Sequence, residues 1–400
     1  MKSSFCKRLL KAITAFLLAA ALVMPMPARA AEQTDREAAE AAGSRLGEII
    51  ELILREYAGD PVGALELYEA ALRGMSNILD RYSNFLPETE SEELFGALSG
   101  KYTGIGIVVR SNDLGQPEIL RVIAGSPAME AGIKRGDVIT HINGTPTKNY
   151  SPEEISTLIL EGETPQIKMQ IRRGTIIYSY SMTKREIPSV SVYSDRFEDL
   201  LGPAYAKYSK SYGYIAINSV SVNTADDLWE HVAAFKRSGV EGIVLDLRGN
   251  TGGYLDVCMD ICEIIVPAGP IFYLTDNRGK RELVSSSLII PPFEKMVVLT
   301  DGRTASAAEL IAAALQDAGI ATVVGEKTYG KGVIQTLFPL TTGGLFLLTT
   351  NEYLRRSGEK MNGVGVTPDI PIEGMAVKDY ETQKDKALLK AIEVLTGNGE

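Results

Sequence analysis

The sequence predicts a multidomain α+β protein with a helical N-terminal region, a small β-rich domain, and an α/β core whose mixed sheet is flanked by helices. Three patterns support this prediction. Apolar residues recur at helical spacing over residues 46–79, and they alternate with polar residues over 167–183. From residue 211 to 324, short apolar runs alternate with amphipathic segments, which is the rhythm of a sheet covered by helices.

The composition is that of an ordinary folded protein. Hydrophobic residues make up 45% of the chain and charged residues 23%. The net charge of −10 and the lack of a basic, aromatic-rich stretch argue against nucleic-acid binding. The sequence contains neither a metal-ligand spacing nor a phosphate-binding glycine loop, so neither a metal nor an organic cofactor is expected.

Residues 1–30 have the three parts of an export signal. An apolar stretch at 13–24 is short for a bilayer span, and Ala28-Arg29-Ala30 is a small-x-small cleavage site. The positive segment that precedes them contains Lys2, Lys7, Arg8 and Lys11. We therefore expect a protein that is secreted or in the cell envelope, or tethered to the membrane if the signal is not cleaved.

Residues 31–97 are predicted to be helical. Two apolar stripes are separated by a break at Gly59-Asp60-Pro61. A helical pair with so little core of its own must pack against the next domain or against a second copy of the chain.

Residues 98–185 are predicted to form the β-rich domain. It begins with a glycine-containing loop and closes with two strands around Arg173-Gly174. Backbone N–H groups of Gly104, Ile105, Gly106 and Ile107 can form a nest for a peptide carboxylate, after which the peptide adds as a strand. The alternative is an ordinary glycine turn in a spacer domain.

Residues 186–375 are predicted to form the core. Apolar strands at 242–247 and 296–300 each lead into a turn and then a helix. Because sites gather at the carboxyl ends of parallel strands, Gly252-Gly253 and Ser306 are expected to share one crevice. The amphipathic segment 376–400 is expected either to dock on the core or to join a dimer contact.

Ser306 has two interpretations. With Glu309 it forms a capping box, a common way to begin a helix. As a nucleophile it would need a base, but neither His141 nor His231 lies in a motif that suggests a triad. Lys331 can serve instead if burial makes its neutral form accessible.

The residues around Lys331 favour that role. It lies between two glycines, which lets the backbone pass close to another element. Gln335 follows four residues later, and its amide can hydrogen-bond the amine without adding a charge.

Three motifs together resemble the C-terminal processing (tail-specific) serine peptidases. They are T-A-S-A-A-E at 304–309, G-E-K-T-Y-G-K-G-V-I-Q at 325–335, and D-L-R-G-N-T-G-G at 246–253. The resemblance implies that Ser306 is the nucleophile, Lys331 the general base, and Gln335 the residue that orients the base.

The resemblance also implies an oxyanion hole. Its donors would be the N–H groups of Ala307 and of Gly252, with Gly253 as the alternative glycine. Asp246 and Arg248 are expected to order the loop rather than to take part in the chemistry.

Two further features of the core have structural rather than catalytic interpretations. Asp317 is expected to pair with a cation or cap a turn, and a catalytic role would rest on analogy alone. Cys258 and Cys262 are expected to be two buried thiols, because a disulfide at this spacing would be distorted.

The series G-I-G-I, S-P-A and G-D-V-I…N-G resembles a PDZ domain. The two resemblances imply a secreted serine endopeptidase that acts on proteins or peptides with free C-termini. They also imply a homodimer formed through the N-terminal region and a regulatory protein partner. Two alternatives remain: a ligand-binding protein on the same core, and a PDZ adaptor or sensor with an inactive core.

Overall fold

The computed structural model describes residues 26–160 and 164–397. The chain divides into two compact units, residues 1–81 and 82–400. The predicted export signal lies outside the described residues up to position 25, and positions 26–30 begin the first helix. Within the described ranges, no helix is long and apolar enough to span a bilayer.

The first unit contains two helices, α1 (Met26–Glu56) and α2 (Ala64–Ser76), as the helical periodicity predicts. The break predicted at 59–61 falls between them. Large apolar side chains of this unit are exposed to solvent: Ile49, Leu52, Leu54, Tyr57, Leu65, Met75, Ile78 and Leu79.

The second unit begins with strand β1 (Asn84–Leu86) and helix α3 (Glu88–Leu98). Strand β1 pairs antiparallel with residues 345–347 of the core. The predicted helical region of 31–97 therefore spans both units. A strand of three residues is too short to reveal itself by periodicity.

A β-rich domain follows, with a five-stranded path β3-β4-β5-β7-β8 in which β3 is an edge strand. Its elements are β2 (Lys101–Gly104), β3 (Ile107–Ser111), β4 (Pro117–Val122), α4 (Pro127–Ala131), β5 (Val138–Ile142), β6 (Thr145–Pro146), α5 (Pro152–Leu160), β7 (Gln166–Arg173), β8 (Ile176–Thr183) and β9 (Arg185–Pro188). Ile119, Ile139 and Ile167 lie at the centre of its own apolar core.

The remaining elements form the core. They are β10 (Val192–Asp195), α6 (Phe197–Leu201), β11 (Tyr212–Ile217), α7 (Thr224–Arg237), β12 (Gly242–Asp246), α8 (Leu255–Ile265), β13 (Gly269–Asp276), β14 (Arg281–Ser286), β15 (Lys295–Thr300), α9 (Ala307–Asp317), β16 (Ala321–Gly325), β17 (Val333–Pro339), β18 (Leu345–Arg355), β19 (Ile370–Pro371) and α10 (Lys386–Thr396).

The main sheet of the core has the order β10-β11-β12-β15-β16-β19. Strand β10 is antiparallel to β11, and the other neighbours are parallel. Helices α7, α8 and α9 contribute to the apolar cluster on one face, and α6 and α10 to the cluster on the other. The predicted mixed sheet flanked by helices is confirmed, and the C-terminal helix docks on the core.

A second sheet of the core is built around β18, which pairs with β1, β13 and β17. Strand β17 carries Gln335, and β18 carries Thr349 and Tyr353. This sheet therefore brings polar side chains to the loop that precedes β17.

Candidate active site

Two turns meet at the carboxyl ends of the neighbouring parallel strands β12 and β15. The N–H of Ala305 donates to the carbonyl of Asn250 at 2.9 Å, and the N–H of Gly249 donates to Asp301 Oδ1 at 2.9 Å. Hydrogen bonds therefore join the Gly252 turn to the Ser306 turn, and the crevice expected between them stays a prediction.

Ser306 has an unusual backbone conformation just before α9. Its φ is 57° and its ψ is −123°, a combination that costs a non-glycine residue conformational energy. A Cβ atom on Gly252 would lie 2.8 Å from Ser306 Cβ and 2.9 Å from the Ala307 nitrogen. The close approach of the two turns thus requires glycine at position 252.

The N–H groups proposed for the oxyanion hole differ in their partners. The Gly252 N–H donates to Asn250 Oδ1 at 2.8 Å, closing a two-residue Asx turn. Within the described part of the chain, the N–H groups of Gly253 and Ala307 have no acceptor. In this conformation the N–H groups of Ala307 and Gly253 are therefore available to an oxyanion, whereas the Gly252 N–H is bonded to Asn250.

Lys331 lies in the loop between β16 and β17. A Cβ atom on Gly332 would approach the nitrogen of Asn362 to 2.1 Å, and the Gly330 carbonyl accepts the Gly363 N–H at 2.8 Å. The flanking glycines thus allow the lysine loop to run against residues 361–365, as the sequence predicts.

One carboxylate joins the Ser306 turn to the lysine loop. Glu309 is fully buried and accepts the backbone N–H groups of Ser306 at 2.8 Å, Gly330 at 2.7 Å and Lys331 at 2.9 Å. The Thr328 hydroxyl donates to it as well. The sequence identified Glu309 only as part of a capping box, because the lysine loop reaches it through tertiary structure.

The side chains of Lys331 and Gln335 have distinct neighbours. The Lys331 Nζ lies 5.2 Å from the centroid of the Tyr82 ring. The Gln335 amide nitrogen donates to Thr349 Oγ1 at 3.2 Å. The side-chain pairings of Lys331 with Ser306 and with Gln335 stay predictions. Tyr82 was not identified from the sequence, although it lies in the segment L-D-R-Y-S.

Arg248 orders the loop after β12. Its guanidinium contacts Asp246, with Nε 3.0 Å from Oδ1, and Asp385, with Nη2 2.8 Å from Oδ2. It also stacks on Tyr380, 3.9 Å from the ring centroid. These contacts fit the expected structural role of Asp246 and Arg248 and connect the loop to the C-terminal segment.

The surroundings of Asp317 and of the two cysteines indicate structural roles. Asp317 accepts a hydrogen bond from Arg355 Nε at 3.2 Å, which is the expected cation pairing. It lies at the far end of α9, roughly 16 Å along the helix axis from Ser306. Cys258 and Cys262 are both buried free thiols, as predicted.

The glycine loop of the β-rich domain has open donors. Gly106 has φ 81°, and a Cβ atom there would collide with Ser126 Cβ at 2.1 Å. The carbonyls of Ile105 and Gly106 accept N–H groups at 2.9 Å and 3.0 Å. Within residues 26–160 and 164–397, the N–H groups of Ile105 and Gly106 have no acceptor.

A cavity of about 480 Å³ connects the edge strand β3 with the core. Val109 and Ser111 line it on the β3 side, and Asn218, Arg248 and Arg303 line it on the core side. An extended peptide added to β3 would therefore face the carboxyl ends of the core strands.

Comparisons with known proteins identify the family of this chain. The profile of Peptidase family S41 matches residues 211–372, and that of a PDZ domain matches residues 118–173. The carboxyl-terminal-processing protease of Synechocystis is 29% identical, covering 86% of this chain and 81% of the relative. The carboxy-terminal processing protease CtpB of Bacillus subtilis is 30% identical, covering 87% and 71%.

A solved structure from Bacteroides fragilis, described as an S41 protease, shares the fold. Its TM-score is 0.57 at 20% identity, and the match covers 88% of this chain and 97% of that one. The match of the S41 and PDZ profiles and the identity to curated relatives over most of both chains lead to one conclusion. This chain belongs to the carboxyl-terminal-processing serine peptidases of family S41.

Proposed function

We propose that this peptidase is a secreted endopeptidase that cleaves proteins near their C-termini by a Ser-Lys mechanism. The single observation that carries the proposal is the buried Glu309 carboxylate. It accepts hydrogen bonds from the backbone N–H groups of both Ser306 and Lys331. It therefore fixes the position of the proposed nucleophile relative to the loop of the proposed base.

The proposed reaction begins with proton transfer. Neutral Lys331 accepts the proton of Ser306, and the serine oxygen attacks the scissile carbonyl carbon. The N–H of Ala307, with a glycine N–H from the 252–253 pair, stabilises the oxyanion. The Lys331 ammonium then donates its proton to the leaving amine, and water hydrolyses the acyl-enzyme.

We assign Gln335 the role of orienting the lysine. Its amide nitrogen donates to Thr349, which fixes the side chain and leaves the amide oxygen to accept from the Lys331 amine. A neutral orienting group is suited to this task because it does not favour the charged form of the lysine as a carboxylate would.

The PDZ domain would bind the substrate C-terminus. The open N–H groups of Ile105 and Gly106 suit a carboxylate, and the edge strand β3 suits an added peptide strand. The cavity beside β3 gives the preceding residues of the substrate a route toward the core. Occupation of this groove would deliver the substrate or gate the site, and a regulatory protein could act at the same place.

Export and dimerisation are parts of the same proposal. Cleavage after Ala30 would release a protein outside the cytoplasm, and N-terminal sequencing of exported protein tests this site. The exposed apolar side chains of α1 and α2 would pack against a second copy. A lower mass in solution for Ile49→Glu than for wild type, measured by sedimentation, would support a dimer through this face.

The deciding experiment compares cleavage of an unfolded protein such as casein by wild type, Ser306→Ala and Lys331→Ala. Lys327→Ala is the matched control, because Lys327 is exposed in the same loop. We expect wild type and the control to cleave and the other two variants to be silent. Cleavage by Ser306→Ala would overturn the mechanism, and a silent wild type that still binds C-terminal peptides would favour the adaptor alternative.

A peptide substrate with a free or an amidated C-terminus tests the proposed PDZ role. We expect the amidated form to be cleaved with a higher KM, because its neutral end cannot use the carboxylate nest. Equal kinetics for the two peptides would contradict C-terminal capture without affecting the Ser-Lys assignment.

A further inference from the structure

We infer that Tyr82 is a positioning residue for the proposed base, because the face of its ring stabilises the ammonium that Lys331 becomes when it takes the proton of Ser306. This inference rests on the proposed function, since it gives Tyr82 a task in the reaction of that pair. Tyr82 precedes the PDZ domain along the chain, so it lies outside the three peptidase motifs of the core.

The residues that follow Tyr82 attach this part of the chain to the second sheet of the core. Ser83 is buried, and its Oγ accepts the backbone N–H of Thr349 at 3.0 Å. Strand β1 then pairs with β18, and its Phe85 side chain is fully buried. The position of Tyr82 is therefore determined by strand β18.

Thr349 of β18 connects this segment to the residue that is proposed to orient the lysine. Its backbone N–H donates to Ser83, and its Oγ1 accepts the amide nitrogen of Gln335 at 3.2 Å. Gln335 also lies opposite Thr349 in the register of β17 and β18. One residue therefore positions both Gln335 and the segment that carries Tyr82.

The ring of Tyr82 lies against the amine of Lys331. Nζ lies over the ring, 5.2 Å from its centroid. A ring face attracts a cation within about 6 Å of its centroid. Both residues are half-buried, so water weakens this attraction less than it would at a fully exposed pair.

A ring suits the change of charge in the proposed reaction. Lys331 is neutral before it takes the proton of Ser306 and cationic afterwards, so the reaction needs a group that stabilises the cation. A carboxylate would do so, but it would also keep the lysine charged before the transfer. The quadrupole of a ring attracts a cation more weakly, so it stabilises the ammonium and leaves the neutral amine accessible.

Two other titratable groups contact the main chain of the lysine loop. Glu309 of α9 accepts the backbone N–H of Lys331 at 2.9 Å, and the Tyr353 hydroxyl of β18 donates to the Lys331 carbonyl. These contacts position the backbone of the proposed base. The Tyr82 ring instead contacts its amine.

Further charged side chains lie on the elements around the lysine loop. Glu352 of β18 lies 3.6 Å from Lys360. Glu326 and the exposed Lys327 belong to the start of the loop itself, and the segment 361–365 contains no charged residue. All of these groups are the same in wild type and in variants at position 82, so a change in such a variant reports the ring.

The test replaces the ring and follows the pH dependence of nucleophile modification. Tyr82→Leu keeps an apolar side chain without a ring face, and Tyr82→Phe keeps the ring without the titratable hydroxyl. The matched control is Tyr208→Leu, because the Tyr208 ring lies 4.7 Å from Nζ of Lys207, a lysine outside the site.

The probe is a small fluorophosphonate, whose reaction needs the same proton transfer. The Ser306 oxygen attacks phosphorus, fluoride leaves, and Lys331 receives the serine proton. The rate of modification is measured from about pH 6 to about pH 9.5 for wild type and each variant.

We expect the midpoint of the rising rate to fall by about half a pH unit to one pH unit in Tyr82→Leu, because its ammonium has lost the ring. The rate above the midpoint should fall by about two- to threefold, since a less basic lysine is a weaker base. Below the midpoint the variant should react faster than wild type, because more of its lysine is neutral. Tyr82→Phe should keep the wild-type midpoint, and Tyr208→Leu should match wild type throughout.

An unchanged or higher midpoint in Tyr82→Leu would overturn the inference. A rate that falls by the same factor at every pH would also overturn it, because that result indicates a structural role. The midpoint does not depend on the folded fraction, so partial unfolding cannot imitate the shift. Tyr82→Met, which also lacks a ring, serves if Tyr82→Leu does not fold.

The same probe separates this inference from the proposed function. Modification of wild type but not of Ser306→Ala, at a rate that rises with pH, supports the proposed function whatever Tyr82→Leu does. If wild type is not modified at Ser306, or if its rate does not rise, the proposed function fails and the inference about Tyr82 fails with it.

Discussion

Glu309, which joins the Ser306 turn to the lysine loop, and Asp246, near the junction with the PDZ domain, are both buried carboxylates with different surroundings. Glu309 accepts three backbone N–H groups and one hydroxyl. Asp246 accepts the backbone N–H of Arg248 at 2.9 Å, and its other partners are side chains: the guanidinium of Arg248 and the Tyr214 hydroxyl, which donates to it at 2.8 Å.

The difference separates two tasks. Backbone N–H groups fix the main chain itself, so the partners of Glu309 determine where the Ser306 turn and the lysine loop lie. An ion pair joins side chains, so the partners of Asp246 connect whole segments: Arg248 extends the connection to Asp385 of the C-terminal segment. We therefore expect changes at Glu309 to affect catalysis first, and changes around Asp246 to affect stability first.

The largest expected effect is on activity in Glu309→Gln. The amide has one acceptor oxygen where the carboxylate has two. At least one backbone N–H of the Ser306 turn or the lysine loop therefore loses its acceptor. A small displacement of reacting groups costs about 100-fold in rate, so kcat/KM should fall by about that factor. Asp246→Asn is the control and should retain more activity per folded molecule. Equal losses of activity per folded molecule in the two variants would contradict the different roles assigned to Glu309 and Asp246.

The second-largest expected effect is a loss of stability in Arg248→Met. Removing the guanidinium leaves Asp246 and Asp385 buried without their cation, which costs about 3–5 kcal/mol. Urea denaturation should show this loss, while kcat of the remaining folded enzyme changes less than in Glu309→Gln. A stable but inactive Arg248→Met would mean that Arg248 acts in the chemistry.

A smaller effect is expected where the PDZ domain meets the core. Arg121 of β4 lies 2.7 Å from both Asp195 and Glu381, and all three side chains are largely buried. Arg121→Met should lower the hydrogen-exchange protection of β4 and β10. Lys384→Met is the control, because its pair with Asp113 is 59% and 72% exposed, and such pairs contribute about 0–1 kcal/mol. Equal protection in both variants would contradict a role for burial.

The smallest effect concerns pH and Asp301. Burial alone would raise its pKa, but the N–H groups of Gly249 and Arg303 hold it below the ordinary value. Its contribution to stability is therefore complete above the unfolded carboxyl pKa of about 4 and is lost as the pH falls through the lower folded value. The Tm difference between wild type and Asp301→Asn should shrink on acidification from about pH 5 to about pH 3. A constant difference would contradict this.

Much of the fold follows from local patterns. The parallel strands of the core are continuous apolar runs, such as Val297, Val298 and Leu299, and each precedes a helix with its own apolar stripe. Periodicity therefore predicts β12 and β15 to within one residue at their ends, and a helix after each of them. The sequence also predicts the burial of Cys258 in α8, and it gives a cation pair as one of two expectations for Asp317 at the end of α9.

The tertiary contacts of the site do not follow from local patterns. Strand β1 has three residues, and only its pairing with β18 reveals it. Glu309 has the sequence signature of a cap, yet its second oxygen serves a loop about twenty residues later. The engagement of the Gly252 N–H depends on a side-chain rotamer of Asn250, which no motif records.

The proposed mechanism requires neutral Lys331 to remove the proton from Ser306, and the pH dependence of acylation tests this step. The measurement is the single-turnover rate of acyl-enzyme formation by wild type from about pH 6 to about pH 9. We expect a rate that rises as the lysine loses its proton and then levels off. A rate that falls over this range would contradict a neutral lysine base.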